Sequence, residues 1–151
     1  MNKQFYLTQE GIIELETEVK GLIAQRGPIA ERIKSAREFG DLAENAEYTS
    51  ARQEQERVES RIAEIENILQ NVQLIKKPKG GQVQLGSTVK LKGNGSDKIF
   101  QVVGTVEADP LNGKISDESP IGQLLLGKAV GATIELKTPA ETTNYNIAEI
   151  S

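Results

Sequence analysis

Gly40-Asp41-Leu42-Ala43-Glu44-Asn45-Ala46-Glu47-Tyr48 separates two segments of one periodicity, and its reading decides the fold. Before it, Ile12, Leu15, Val19, Leu22, Arg26, Ile29, Ile33 and Ala36 recur at alternating steps of three and four. After it, Tyr48, Ala51, Gln55, Val58, Ile62, Ile65, Leu69 and Val72 do the same. Such spacing lays each set along one stripe of an α-helix. Folding the chain back at Leu42 sets Ala36 opposite Tyr48, Ile33 opposite Ala51, Ile29 opposite Gln55 and Leu15 opposite Leu69. Large residues then meet small or polar ones near the turn, while aliphatic residues meet at the base. The expected structure is an antiparallel α-helical coiled-coil hairpin over residues 1–75 with an acidic tip at 40–48. At about 1.5 Å per residue, an arm from Glu44 to Val72 reaches roughly 43 Å. Thr8 is the expected helix start. Gly27-Pro28 predicts a kink or interruption, because proline removes a backbone donor, and Gly21 weakens the first arm locally.

Outward from the hairpin, the composition changes. Residues 1–75 carry 9 Lys+Arg against 14 Asp+Glu, a net charge of -5; residues 76–151 carry 9 against 8, a net of +1. Ten of the 14 glycines lie in the second half. Ile75-Lys76-Lys77-Pro78-Lys79-Gly80-Gly81 marks the switch, and a linker is expected at 76–82 with a second domain at 83–151. There, Gln82–Leu85, Thr88–Lys92, Lys98–Val103, Ala132–Lys137 and Thr143–Ala148 read as strands. Gly93-Asn94-Gly95-Ser96-Asp97 is a turn. Ser119-Pro120 followed by Ile121-Gly122-Gln123-Leu124-Leu125-Leu126-Gly127 suits a short capped helix. The fold class is thus α+β in two domains, the second a small antiparallel sheet with one short helix.

The totals exclude several chemistries. The chain of 151 residues has no cysteine and no histidine. Disulfides, Cys/His zinc sites, cysteine nucleophiles and histidine bases are ruled out. No apolar run approaches the roughly 20 residues of a membrane span. Met1-Asn2-Lys3-Gln4-Phe5 leads into polar sequence without a signal-peptide core, so a cytoplasmic location without a membrane partner is expected. A net charge of -4 argues against bulk binding to phosphates but leaves room for a local basic patch.

At the tip two readings compete. Gly40 in a left-handed conformation would end the first helix, and Asp41 with Glu44 three residues on would form a capping box for the second. Glu47 would be a first-turn acid favoured by the helix dipole. Alternatively, Asp41 and Glu44 at the end of a rod would offer two of the six oxygens a Mg²⁺ ion prefers. Such an incomplete site becomes useful when a partner supplies the rest, as in two-metal phosphoryl transfer. Arg32, Lys34, Arg37, Arg52, Arg57 and Arg61 are interleaved with Glu31, Glu38, Glu54, Glu56 and Glu59. They read either as salt-bridged faces or as a cationic strip for a nucleic-acid strand, with Arg37 and Arg52 nearest the acids. Phe39 and Tyr48 either pack the hairpin end or stack on a base.

Two blocks resemble a known family. Ala36-Arg37-Glu38-Phe39-Gly40-Asp41-Leu42-Ala43-Glu44-Asn45-Ala46-Glu47-Tyr48, continuing to Ala51-Arg52-Gln53-Glu54-Gln55, is similar to the bacterial Gre transcript-cleavage factors, the GreA type most closely. Gly113-Lys114-Ile115-Ser116-Asp117-Glu118-Ser119-Pro120-Ile121-Gly122 with Leu125-Leu126-Gly127-Lys128 is the second. The resemblance covers essentially the whole chain. It implies a C-terminal domain like those of FKBP-type prolyl isomerases, docked on bacterial RNA polymerase. It implies a monomeric accessory factor, not itself an enzyme, whose hairpin enters the polymerase secondary channel. There it stimulates cleavage of backtracked nascent RNA and rescues arrested complexes. Asp41 and Glu44 match the tip acids that help hold a Mg²⁺ supplied at the polymerase active centre and shared with it. Arg37 and Arg52 match the basic patch facing the RNA 3′ end, and Ser119, Pro120, Ile121 and Gly122 fall in the docking region. Departures at Ala132 after Gly131, and at Ala140-Glu141 after Pro139, bear on loop detail. A channel-binding inhibitor without cleavage activity would share the shape but differ at the tip. An active prolyl isomerase is disfavoured, since the second domain offers only Phe100 and Tyr145 to line a proline pocket.

Overall fold

The computed structural model describes residues 4–41, 44–76, 78–93, 95–137 and 139–151. The fold-back point Leu42, Lys77 of the expected linker and Asn94 of the expected turn lie outside the described residues. The chain divides into two compact units, residues 12–71 and residues 1–11 with 72–151.

The first unit is helical. Helices α1 (Gln9–Ala24) and α2 (Arg26–Arg37) form one arm and α3 (Ala46–Gln70) the other. The break between α1 and α2 answers to Pro28. In a continuous helix its ring would collide with the Ala24 carbonyl. The helix instead stops at Ala24 and restarts at Arg26, so that Pro28 falls in a first turn, where a missing N–H costs nothing. Leu15, Leu22, Ile29, Ile33 and Ala36 are buried on the first arm, and Ala51, Val58, Ile62, Ile65 and Ile68 on the second. The arms lie in the register set by a fold-back near residue 42, with Arg26 reaching Glu59 at 2.7 Å and Arg61 reaching Glu18 at 2.6 Å. Two seam positions depart from expectation. Arg26 leaves the seam for solvent and its bidentate partner Glu59, because a buried guanidinium would need a desolvated partner. Val72 is not helical, because α3 ends at Gln70.

Val72 instead opens strand β2 (Val72–Leu74), which pairs in parallel with β1 (Phe5–Leu7). This pair moves the boundaries expected at 75 and 82. The first eleven residues and 72–82 belong to the sheet unit, and the change of unit falls at Asn71, not in the Lys/Gly-rich stretch. Thr8 starts α1 as expected, its Oγ1 accepting from Gly11 N at 3.1 Å. No residue pattern points to its partner. The Glu107 carboxylate accepts from Thr8 N at 2.9 Å and from the Thr8 hydroxyl at 2.6 Å. The Glu107 side chain is 4% exposed, with Lys114 Nζ at 3.8 Å, so this buried charge is paired and hydrogen-bonded.

The second unit holds a five-stranded sheet of β3 (Thr88–Gly93), β4 (Asp97–Val103), β5 (Lys114–Ser116), β6 (Thr133–Lys137) and β7 (Thr142–Ile150). Its order is β5-β4-β3-β7-β6. The sheet is mixed where an antiparallel one was expected, because β5 runs parallel to β4. Alternation buries Ile134, Leu136, Tyr145 and Ile147 beside Val89, Leu91, Val102 and Leu125 of helix α4 (Pro120–Leu125). Gln82–Leu85 is not a strand. Val83 is tied on both sides to the turn after α4, through Lys128 O and Gly127 N, and Ser87 closes a turn on Gln84. Among the described residues no helix is long and apolar enough to cross a membrane.

The cross-arm pair Glu18–Arg61 has a definite pH signature. Hydrogen bonds from Arg61 hold the Glu18 carboxyl below its ordinary value of 4.5. A depressed carboxylate stabilises the fold above that value and stops doing so as pH falls through the lowered one. Both side chains are over a third exposed, so screening keeps the contribution below about 1 kcal/mol. Thermal unfolding should find Glu18→Gln slightly less stable than the parent at neutral pH, with the difference shrinking as pH falls below 4.5.

Candidate functional site

The tip is built by two helix ends and one asparagine. Beyond α2 the chain tightens, with Glu38 N donating to Ser35 O and Phe39 N to Ala36 O, both at 3.2 Å. Gly40 follows at φ 111°, the left-handed conformation expected of it. The cap of α3 is not the one expected. Asn45, not Asp41, is the N-cap, and its Oδ1 accepts from Tyr48 N at 3.1 Å. Its Nδ2 donates to Ala36 O at 2.6 Å. One side chain therefore satisfies an orphan N–H of α3 and an end carbonyl of α2. Asp41 with Glu44 is therefore not the capping box of α3, because the helix begins at Ala46, five residues after Asp41. Asparagine caps as well as aspartate does, and only Asn45 also carries the donor that Ala36 needs.

Asp41 and Glu44 are both exposed on the connection between the arms. Glu47, the third acid, is taken up by Arg32 at 3.6 Å. Among the described residues no group of three or more acids could by itself hold a metal ion.

The cations of the arms, apart from Lys20 on α1, fall into two sets. Arg26, Arg32, Arg57 and Arg61 each face a carboxylate, at 2.7, 3.6, 2.7 and 2.6 Å. For them the salt-bridged reading holds. Among the described residues Lys34, Arg37 and Arg52 have no carboxylate within 4.0 Å. Arg37 lies over the Tyr48 ring, 5.9 Å from its centroid, and Arg52 donates to the neutral Gln55 at 2.7 Å. All three line one surface depression with Ala30, Ile33 and Gln55. Lys34 is the member that sequence spacing did not single out, although it stands one turn before Arg37. Tyr48 is half-buried, whereas Phe39 is 82% exposed. The two aromatics thus part company, Tyr48 packing the hairpin end and Phe39 standing clear of it.

In the sheet unit, Ser119 caps α4, its Oγ accepting from Gly122 N at 3.0 Å, and Pro120 is the first helical residue. Gly122 is buried against the Ser116 carbonyl, where a Cβ would collide. Pro120 and Ile121 line an open depression of about 460 Å³ with Leu124, Ile134 and Leu136. No aromatic residue lines it.

Two family patterns match the chain. One, described as "Transcription elongation factor, N-terminal", matches residues 5–74. The other, "Transcription elongation factor, GreA/GreB, C-term", matches residues 77–151. The chain belongs to the GreA/GreB family of transcription elongation factors. A relative named "Transcription elongation factor GreA" from Caldanaerobacter subterraneus subsp. tengcongensis is 46% identical over 155 residues, covering 99% of each chain. One of the same name from Clostridioides difficile is 45% identical and covers 99% of this chain and 97% of its own. A solved structure of the transcription factor Gfh1 is 30% identical over 99% of each chain, with a TM-score of 0.49. The GreA/GreB pattern changes at 74–77, a few residues after the chain leaves α3.

In this GreA/GreB chain, Asn45→Ala should cost about 1–3 kcal/mol, a cap plus one further hydrogen bond. Thermal unfolding followed by the helical circular-dichroism signal would read it. Asn45→Asp should recover only part, since a carboxylate keeps the cap but cannot donate to Ala36 O.

Proposed function

We propose that the chain binds bacterial RNA polymerase, inserts its hairpin tip through the secondary channel and stimulates the polymerase to cleave backtracked nascent RNA. In this reading it is an accessory to the polymerase and supplies no complete active site of its own. The observation that carries the reading is the division of labour at the tip. Asn45 is the cap of α3, and Asp41 and Glu44 lie exposed between the two helix ends. Three cations without carboxylate partners, Lys34, Arg37 and Arg52, line one depression on the last turn of α2 and the first turns of α3. Helix α3, with 25 residues, is roughly 37 Å long, enough to carry the tip deep into a channel.

Two carboxylates suit a hard cation such as Mg²⁺, which takes oxygen ligands and shares its shell with phosphates and water. Asp41 and Glu44 would be the residues holding it, together with groups of the polymerase. Such an ion neutralises charge at a scissile phosphate and acidifies bound water. The chain's own part is positional. Lys34, Arg37 and Arg52 attract the phosphates of the extruded 3′ segment, and Asn45 fixes the loop that bears the acids. Ser119, Pro120, Ile121 and Gly122 are proposed for polymerase docking. The exposed Pro120 and half-buried Ile121 make the contact, while Ser119 and Gly122 hold α4 in place.

A cleavage assay on a defined backtracked complex tests this. Asp41→Asn or Glu44→Gln should lower stimulated cleavage at saturating factor by about 100-fold or more, the scale of removing a group that positions charge in a transition state. Polymerase binding should be retained. Unchanged cleavage in both variants would sink the assignment of the acids, and binding by the parent without any stimulation would point to an inhibitor.

The basic depression makes a separate prediction. Charge reversal at Lys34, Arg37 or Arg52 should weaken capture of backtracked RNA, with each lost phosphate contact flattening the salt dependence by a slope of about 0.7 for single strands. The same reversal at Arg57, whose charge is met by Glu54, should have little effect.

A further inference from the structure

Phe39 is the feature of the tip that the proposed function leaves unused. Its ring is 82% exposed, while its backbone is anchored by the bond from Phe39 N to Ala36 O at 3.2 Å. It does not pack the hairpin end, a task taken by the half-buried Tyr48 under Arg37. Exposure alone says little, since scattered apolar residues are normal at surfaces. Leu111, for example, is 97% exposed. Phe39 differs in its place. It stands two residues after Arg37 and two before Asp41, on a turn held by backbone bonds.

We propose that Phe39 is a stacking platform for the terminal base of the RNA 3′ segment that the tip engages. This rests on the cleavage-factor reading of the same site. Single-stranded RNA presents unstacked bases, and proteins hold them by pairing an aromatic face with cations on the adjacent phosphates. Lys34, Arg37 and Arg52 supply the cations, and Phe39, two residues after Arg37, supplies an exposed ring. A phenylalanine has no hydrogen-bonding group, so the contact accepts any of the four bases. Phe39 thereby acts as a positioning residue, fixing the terminal nucleotide so that the phosphate behind it lies near Asp41 and Glu44.

The test uses the full-length protein and stalled polymerase complexes backtracked by a defined distance. Their RNAs end either in a normal nucleotide or in an abasic one. At saturating factor, Phe39→Ala and Phe39→Leu should each slow cleavage of normal RNA by about five- to a hundredfold, the range for losing one stacked base. Phe39→Trp should keep the parental rate. On abasic RNA the parent should fall to the level of Phe39→Ala, and the substitution should cause no further loss. Half-saturating factor concentrations should not change. Rescue by leucine as full as by tryptophan, or a rise in half-saturating concentration that accounts for the loss, would overturn the proposal in favour of an apolar contact with polymerase. An equal loss on abasic RNA would also overturn it. Parental stimulation that depends on Asp41 but not on Phe39 would remove the stacking role alone. Absence of parental stimulation would remove both readings.

Discussion

Two hydrogen bonds from one side chain hold the end of the hairpin. Asn45 accepts from the first turn of α3 and donates to the last turn of α2. Each helix end leaves unsatisfied backbone groups, and near a tight reversal the two sets lie within reach of a single amide. A carboxylate there would cap α3 but repel the Ala36 carbonyl, and a hydroxyl is too short to serve both. The backbone of Glu38, Phe39 and Gly40 satisfies further end carbonyls of α2, so the cap of α3 is left to Asn45. Asp41 and Glu44 are exposed between these two anchored helix ends.

Charge along the arms follows the same separation of tasks. Arg26 and Arg61 bridge between arms to Glu59 and Glu18, and Arg32 and Glu47 tie the upper part of the hairpin. Each pair is exposed and contributes modestly, but together they satisfy the arm's own charges. Among the described residues, the three cations nearest the tip, Lys34, Arg37 and Arg52, have no acid within 4.0 Å. Their positive potential is thus directed outward, beside carboxylates of opposite sign. Such an arrangement suits a ligand that carries phosphate at one end and meets a metal ion at the other.

Long periodic features were readable from residue types alone. The two apolar stripes, the break before Pro28, the capped helix at Ser119 and the paired strands around Gly93–Asp97 each rest on local chemistry repeated over several residues. What escaped reading was short or depended on distant partners. Strands β1, β2 and β5 have three residues each, too few for alternation to show, and two of their pairings are parallel and non-local. Glu107 gives no sign in sequence that it will meet Thr8, 99 residues away. At the tip, the spacing of Asp41 and Glu44 imitates a capping box. Asn45 stands three residues before Tyr48, where the apolar stripe begins, so the better cap was present in the sequence but overshadowed by the more familiar pattern. Family membership restores much of this, since the match extends over both units.

The central claim is that the tip acids complete a cation site belonging to another protein. The most direct test is a magnesium titration of RNA cleavage in a backtracked complex, with the parent or the Asp41→Asn/Glu44→Gln double variant at saturating concentration. If the acids supply ligands, the parent will lower the Mg²⁺ concentration needed for half-maximal cleavage, and the bound double variant will leave it at the value of polymerase alone. An identical Mg²⁺ requirement with parent and variant would contradict the account.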